Sequence, residues 1–148
     1  METISLTASL IGFAFIWYVT LIYPPAHKIL RDKKKYNMLF YFSILSPFLA
    51  ITAYNSQMLE NRKETSFLSL CLLIFLILYK YFDNYILKKN GRNLYFKVRY
   101  NSVWKDEESD KVTTLEECFN FILIILPLIL CFALKYTILD LRIENYFQ

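Results

Sequence analysis

Four long apolar runs, separated by charged segments, set the pattern of the chain. They cover residues 6–23, 38–54, 67–87 and 118–139. A helix that crosses the hydrocarbon core of a membrane needs about 20 mostly apolar residues with few charges. The pattern therefore predicts an all-α integral membrane protein with four transmembrane helices, which together form one polytopic membrane domain.

The longest polar stretch, residues 88–117, separates the third run from the fourth. We expect it to form a cytoplasmic loop, because it is too short for an independent soluble domain. Residues 95–100 (YFKVRY) alternate in part between apolar and polar positions. This alternation favours a small β-hairpin or an amphipathic piece that lies on the membrane surface.

Local signals mark where the predicted helices end and begin. Gly91 follows the third run in the position of a C-terminal cap. Thr114 and Glu117 have the spacing of a capping box for the fourth helix. Lys80 and Asp83 lie about one helical turn apart, so we expect them to form an ion pair at the membrane interface.

Small and weakly polar residues recur at helical spacing in the first two runs. In lipid, such faces let helix backbones approach closely. Pro47 predicts a kink in the second helix, and the Ser43 hydroxyl is placed to satisfy the carbonyl that loses its donor. The alternatives are chance composition in the first run and a hinge or cavity wall in the second. The candidate helix-packing face comprises Ser5, Ala8, Gly12, Ser43, Ser46, Pro47, Ala50 and Ala53.

Basic residues cluster on alternate loops, which predicts the orientation of the helices. The tip between the first two runs, residues 26–36 (AHKILRDKKKY), carries five Lys or Arg, and a second basic segment begins at residue 88. The turn between the second and third runs carries only Arg62 and Lys63. The positive-inside rule then places both basic loops in the cytoplasm, or in the matrix of a mitochondrion, and both termini outside. We expect a bacterial inner membrane or a mitochondrial inner membrane, with residues 1–10 kept as helix because they lack a basic signal-peptide n-region.

The two basic segments share one predicted side and form the candidate binding surface. Anionic lipid headgroups attract each such Lys or Arg by about 1 kcal/mol. A sharper hypothesis is a dock for an acidic protein face or a nucleotide-like ligand, with Tyr100 and Trp104 near Arg99 as stacking surface. The position of the charges beside apolar runs argues against a nucleic-acid partner. The surface comprises Lys28, Arg31, Lys33, Lys34, Lys35, Lys88, Lys89, Arg92, Lys97 and Arg99.

Composition agrees with a membrane protein. Of 148 residues, 56% are hydrophobic, the mean hydropathy is +0.31 and the net charge is +4, whereas soluble domains have about 45–50% apolar residues. Cys71, Cys118 and Cys131 match no metal or redox spacing, so we expect free thiols that pack as small apolar side chains. His27, the only histidine, is expected to contact headgroups rather than to catalyse a reaction.

The sequence contains no set of residues with the spacing of a catalytic, metal or cofactor site. It lacks a G-x-S-x-G motif and a Gly-rich phosphate loop. Ion-coupled transporters usually keep ionisable groups at mid-span, where these runs carry no acidic residue. Two glycines also leave little room for the broken helices of many transporters. We therefore expect a protein that is neither an enzyme nor a carrier and that uses no cofactor.

Three functions remain open from the sequence. The favoured one is a non-catalytic accessory or oligomerising subunit of a membrane complex, which packs its helices against other subunits or against a second copy. The second is a pore-forming or membrane-disrupting effector that is gated through its basic cytoplasmic loops. The third is an immunity protein against a pore-forming toxin, an analogy that rests on size and span count alone.

Overall fold

The computed structural model describes residues 2–55, 67–96 and 111–140. Within those ranges the chain is almost entirely helical and contains no strand, which confirms the predicted all-α class. Residues 95 and 96 have no regular structure, and the rest of the predicted hairpin lies outside the described residues. In chain order the helices are α1 (Glu2–Trp17), α2 (Lys28–Arg31), α3 (Lys33–Ile44), α4 (Ser46–Asn55), α5 (Cys71–Asn90) and α6 (Thr114–Asp140), with a π turn at Tyr18–Ile22 and 3-10 turns at Pro24–His27 and Phe67–Leu70.

Two of the described helical stretches are long and apolar enough to cross a membrane, namely Phe67–Asn90 and Thr114–Leu134. The four predicted spans are therefore not confirmed. The first predicted span contains a shorter apolar helix, Leu6–Ile22, and the second is divided between α3 and α4. Pro24 and Pro25 directly follow the first run, and Pro47 lies inside the second, where it removes a backbone donor.

The break between α3 and α4 confirms the kink predicted at Pro47. α3 ends at Ile44 and α4 begins at Ser46. The N–H of Leu45 turns to the carbonyls of Phe42 and Ser43. The Ser43 hydroxyl does not have the predicted role, because it donates to the carbonyl of Phe40 at 2.7 Å. The backbone itself therefore adjusts at the proline, by tightening the last turn of α3.

Helix α5 lies at the centre of the packing. It contacts α1, α3 and α6. Its inner stripe includes Phe75, Leu76 and Tyr79, all of which are fully buried. The end of α5 meets the beginning of α6, where the rings of Phe82 and Phe119 stack with their centroids 4.3 Å apart. Helices α5 and α6 therefore run antiparallel.

Both helix-end signals are present, one of them shifted by a residue. Gly91 ends α5 in the left-handed conformation at φ 68°, as predicted. The capping box of α6 is formed by Thr113 and Glu116 rather than by Thr114 and Glu117. The Thr113 N–H donates to Glu116 Oε2 at 2.8 Å, and the Glu116 N–H donates to Thr113 Oγ1 at 3.4 Å. Because Thr and Glu both occur in pairs here, the sequence fits the box in either register.

Candidate functional site: a buried connector held by polar side chains

Residues 93–96, which we call the connector, turn back into the helices after Gly91. Leu94, Tyr95 and Phe96 are 0%, 0% and 1% exposed, although they have no regular secondary structure. They were expected in a polar cytoplasmic loop, whereas their side chains are buried within the protein. The signal was present in the sequence as three apolar residues in succession within an otherwise charged segment.

Asp83 of α5 holds the beginning of the connector. Its carboxylate is 3% exposed and accepts hydrogen bonds from the Leu94 N–H at 2.9 Å and from Asn93 Nδ2 at 3.1 Å. The predicted ion pair with Lys80 is also present, with Nζ 3.9 Å from Oδ2. A buried charge is tolerated when it is hydrogen-bonded. Asp83 is therefore an anchor for the connector and not simply a residue of the membrane interface.

Two further side chains bind the carbonyl groups of the connector. Arg31 of α2 donates from Nη2 to the Leu94 carbonyl at 3.2 Å, and its guanidinium lies 5.5 Å from the centre of the Tyr95 ring. Asn120 of α6 donates from Nδ2 to the Tyr95 carbonyl at 3.1 Å. Buried backbone groups outside a helix need such partners. Side chains from α2, α5 and α6 therefore converge on a single stretch of backbone.

His27 packs against the aromatic side of the connector. It is fully buried, and its ring meets the rings of Tyr95 and Phe96 edge to face, at centroid distances of 4.6 and 5.4 Å. Such T-shaped pairs are a favourable aromatic arrangement. The expected headgroup contact of His27 is therefore wrong, because the turn Pro24–His27 brings the ring underneath the connector.

A second ion pair lies beside the connector, between Arg92 and Glu116. Arg92 Nη2 lies 2.7 Å from Glu116 Oε2, and the Glu116 side chain is 0% exposed. Arg92 Nη2 also donates to the carbonyl of Lys111. Arg92 is one of the residues of the predicted basic surface, and its guanidinium binds groups of its own chain. The pair joins the residues after α5 to the first turn of α6.

The predicted basic surface divides into three groups. Arg31 and Arg92 are half-buried and bind within the chain. Lys97 and Arg99, together with Tyr100 and Trp104, lie outside the described residues. The contact of Arg31 with the Leu94 carbonyl brings the basic tip to the residues that follow α5. The exposed members are Lys28, Lys33, Lys34, Lys35, Lys88 and Lys89.

The predicted helix-packing face is turned toward the interior of the chain. A Cβ atom added to Gly12 would lie 3.2 Å from the Cβ of Leu72, so α1 approaches α5 closely there. Ser43, Ser46 and Ala50 are buried. The side chains of Ser5 and Ala53 lie outside the described residues. Ala8 and Pro47 are half-buried, and Ala8 helps to line an apolar groove of about 430 Å³ between α1, α3, α4 and the beginning of α5.

Among the described residues, no group of three or more His, Cys, Asp or Glu side chains is placed to hold a metal ion. The polar side chains around the connector form hydrogen bonds and ion pairs with backbone groups or with each other, while the second side-chain oxygens of Glu116 and Asn120 are buried without a hydrogen-bond partner in the described part of the chain. Such an arrangement positions a segment of chain and holds two helix ends together. No protein-family model matches the chain, and neither a curated protein nor a solved structure is similar to it.

Proposed function

We propose that the chain is a four-span integral membrane protein that acts without catalysis, as an accessory or oligomerising subunit of a membrane complex. The observation that carries this proposal is the reversed pattern of α3 and α4. Phe42, Phe48 and Ile51 are 75%, 66% and 57% exposed, whereas Ser43 and Ser46 are buried. Soluble proteins bury their large apolar residues. The reverse suits a helix whose inner face is small and whose outer face meets lipid or another helix.

The combined length of α3 and α4 supports the second span. Only Leu45 separates the two helices. About 18 residues from Met38 to Asn55 rise about 27 Å at helical spacing, close to the roughly 30 Å of hydrocarbon in a membrane. A helix interrupted by proline remains compatible with a membrane where its backbone groups find partners.

The contact between the basic tip and the connector supports the proposed topology. Arg31 precedes α3 and Leu94 follows α5, and the two are hydrogen-bonded. Both loops must then lie at the same end of the helices. This agrees with the proposed topology, in which two membrane crossings, the second and third spans, separate the two loops. We place this end in the cytoplasm or matrix and both termini on the opposite side. The exposed lysines of the tip then face the anionic headgroups of that leaflet.

The outer face of α3 and α4 is the surface that we assign to subunit contacts. Phe42 and Phe48 are its two exposed phenylalanines. We expect gentle extraction in a mild detergent to yield an assembly, either of several copies or with another membrane protein. Replacing Phe42 and Phe48 with Ala should reduce the assembly to a monomer. The matched control replaces Phe121 and Phe132, which are 55% and 45% exposed on α6, and should leave the mass unchanged. A wild-type protein that is monomeric and has no partner contradicts the proposal.

The connector favours one alternative, the effector that is gated through its basic loops. Arg31 belongs to the basic tip and also holds the connector, so a partner that displaces Arg31 also releases a buried segment. Induced expression with a membrane-potential dye tests this function, because an effector depolarises the membrane upon its signal. A subunit does not depolarise it. Protection against an added pore-forming toxin, without depolarisation, supports the immunity protein.

A further inference from the structure

The two buried cysteines lie on facing stripes of α5 and α6. Cys71 and Cys131 are each 1% exposed and belong to the same hydrophobic core. Cys71 begins the inner stripe of α5, which continues through Phe75 and Tyr79. Cys131 continues the inner stripe of α6, on which Leu123 is also fully buried. The third cysteine, Cys118, is exposed and offers a comparison within the same chain.

The stacked rings of Phe82 and Phe119 fix the register of the two antiparallel helices. About a dozen residues separate Phe82 from Cys71 along α5, and about a dozen separate Phe119 from Cys131 along α6. At the helical rise of about 1.5 Å per residue, both cysteines lie about 17–18 Å from the ring pair. They are therefore at the same level of the helix pair and within one hydrophobic core.

We propose that Cys71 and Cys131 are an oxidisable dithiol, which closes to a disulfide that links α5 to α6 at the end opposite the connector. In this step two S–H bonds are replaced by one S–S bond. The two thiols lose two protons and two electrons, and a two-electron thiol oxidant takes them up. With a diazene such as diamide, the N=N double bond becomes a hydrazine as it takes both hydrogens. The protein is lighter by two hydrogen atoms.

The location of the pair suits such a bond. Cys71 follows Leu70 at the beginning of α5, which is the outer end in the proposed topology. Disulfides persist in oxidising compartments outside the cytoplasm. This placement rests on the proposed function, whereas the ability of the two thiols to join rests on the helix packing alone. The connector already holds α5 and α6 together near Asp83 and Asn120, so the oxidised protein has this helix pair joined at two levels.

The experiment treats the full-length protein in detergent with diamide and measures its intact mass. A Cys118→Ser variant removes the exposed thiol. We expect this variant to lose two hydrogen atoms, to remain a single chain, and to have no thiol left for alkylation after denaturation. Trypsin should then release residues 64–80 and 112–135 as one linked species, which separates upon reduction.

A matched control carries Cys131→Ser and Ile129→Cys in the same background. Ile129 lies at nearly the same level of α6 but is 54% exposed on its outer face, so its thiol should stay unlinked to Cys71 within one chain. Unchanged mass and two reactive thiols in the Cys118→Ser variant would overturn the proposal, and so would a linked dimer. Neither result would contradict the proposed function as a helix-packing subunit, because that proposal is tested by the mass of the assembly.

Discussion

Replacing Asp83 tests whether the connector is held as described. In Asp83→Ala the buried N–H of Leu94 and the amide of Asn93 lose their acceptor. A hydrogen bond to a charged group contributes about 1.5–3 kcal/mol, and an unsatisfied buried donor costs about 1–3 kcal/mol. Lys80 is half-exposed and adds little, since surface ion pairs contribute about 0–1 kcal/mol. We expect the free energy of unfolding to fall by about 3 kcal/mol.

The assay is unfolding by sodium dodecyl sulfate from mixed micelles, followed by circular dichroism. Asp83→Asn should lose less than Asp83→Ala, because the amide keeps one oxygen for the Leu94 N–H. Asn84→Ala is the matched control, since Asn84 is the next residue of α5 and is exposed. Surface changes of that kind usually stay within about 0.5 kcal/mol. If Asp83→Ala unfolds like the control, Asp83 does not anchor the connector.

Three further changes probe other contacts. Glu116→Ala removes both the capping box and the ion-pair partner of Arg92. In the same assay, the free energy of unfolding should fall by about 2 kcal/mol. The control Glu117→Ala, at the next residue, should lower it by less than half of that. Gly12→Val should destabilise the protein by about 1–3 kcal/mol through overpacking, because even a Cβ at this position would press on α5. Unchanged stability would mean that α1 is free to move away from α5. Burial raises the pKa of Tyr36 above its ordinary value, so the folded protein keeps the phenol proton to a higher pH than the unfolded chain does. The free energy of unfolding should therefore fall as pH rises past about 10. The Tyr36→Phe variant should show a shallower fall over the same pH range.

Local rules of the chain account for the helix class and for two of the boundaries. Pro47 removes a backbone donor from its helix, and Gly91 supplies the left-handed residue that ends another. The capping box was displaced because neighbouring Thr and Glu pairs satisfy the same spacing. These features depend on a few adjacent residues, so sequence reasoning reaches them.

The connector and the burial of His27 depend on contacts between distant parts of the chain. Arg31 and Leu94 are 63 positions apart, and no spacing rule relates them. Residues 88–117 are mostly charged or polar, so the whole segment was expected to lie outside the helices despite the short apolar stretch that it contains. The ion pair of Arg92 was not predicted for the same reason, since its partner Glu116 belongs to a different helix.

The reversed pattern of α3 and α4 has a consequence for where the protein is strongest. When large side chains face outward, apolar burial draws the helices together only weakly, and polar contacts carry a larger share of the cohesion. Those contacts are concentrated around the connector, where Asp83, Arg31 and Asn120 meet. The opposite end holds the groove near Gly12 and Leu72. We therefore expect a gradient of local stability along the helices, with amide hydrogens exchanging first at the groove and last beside the connector.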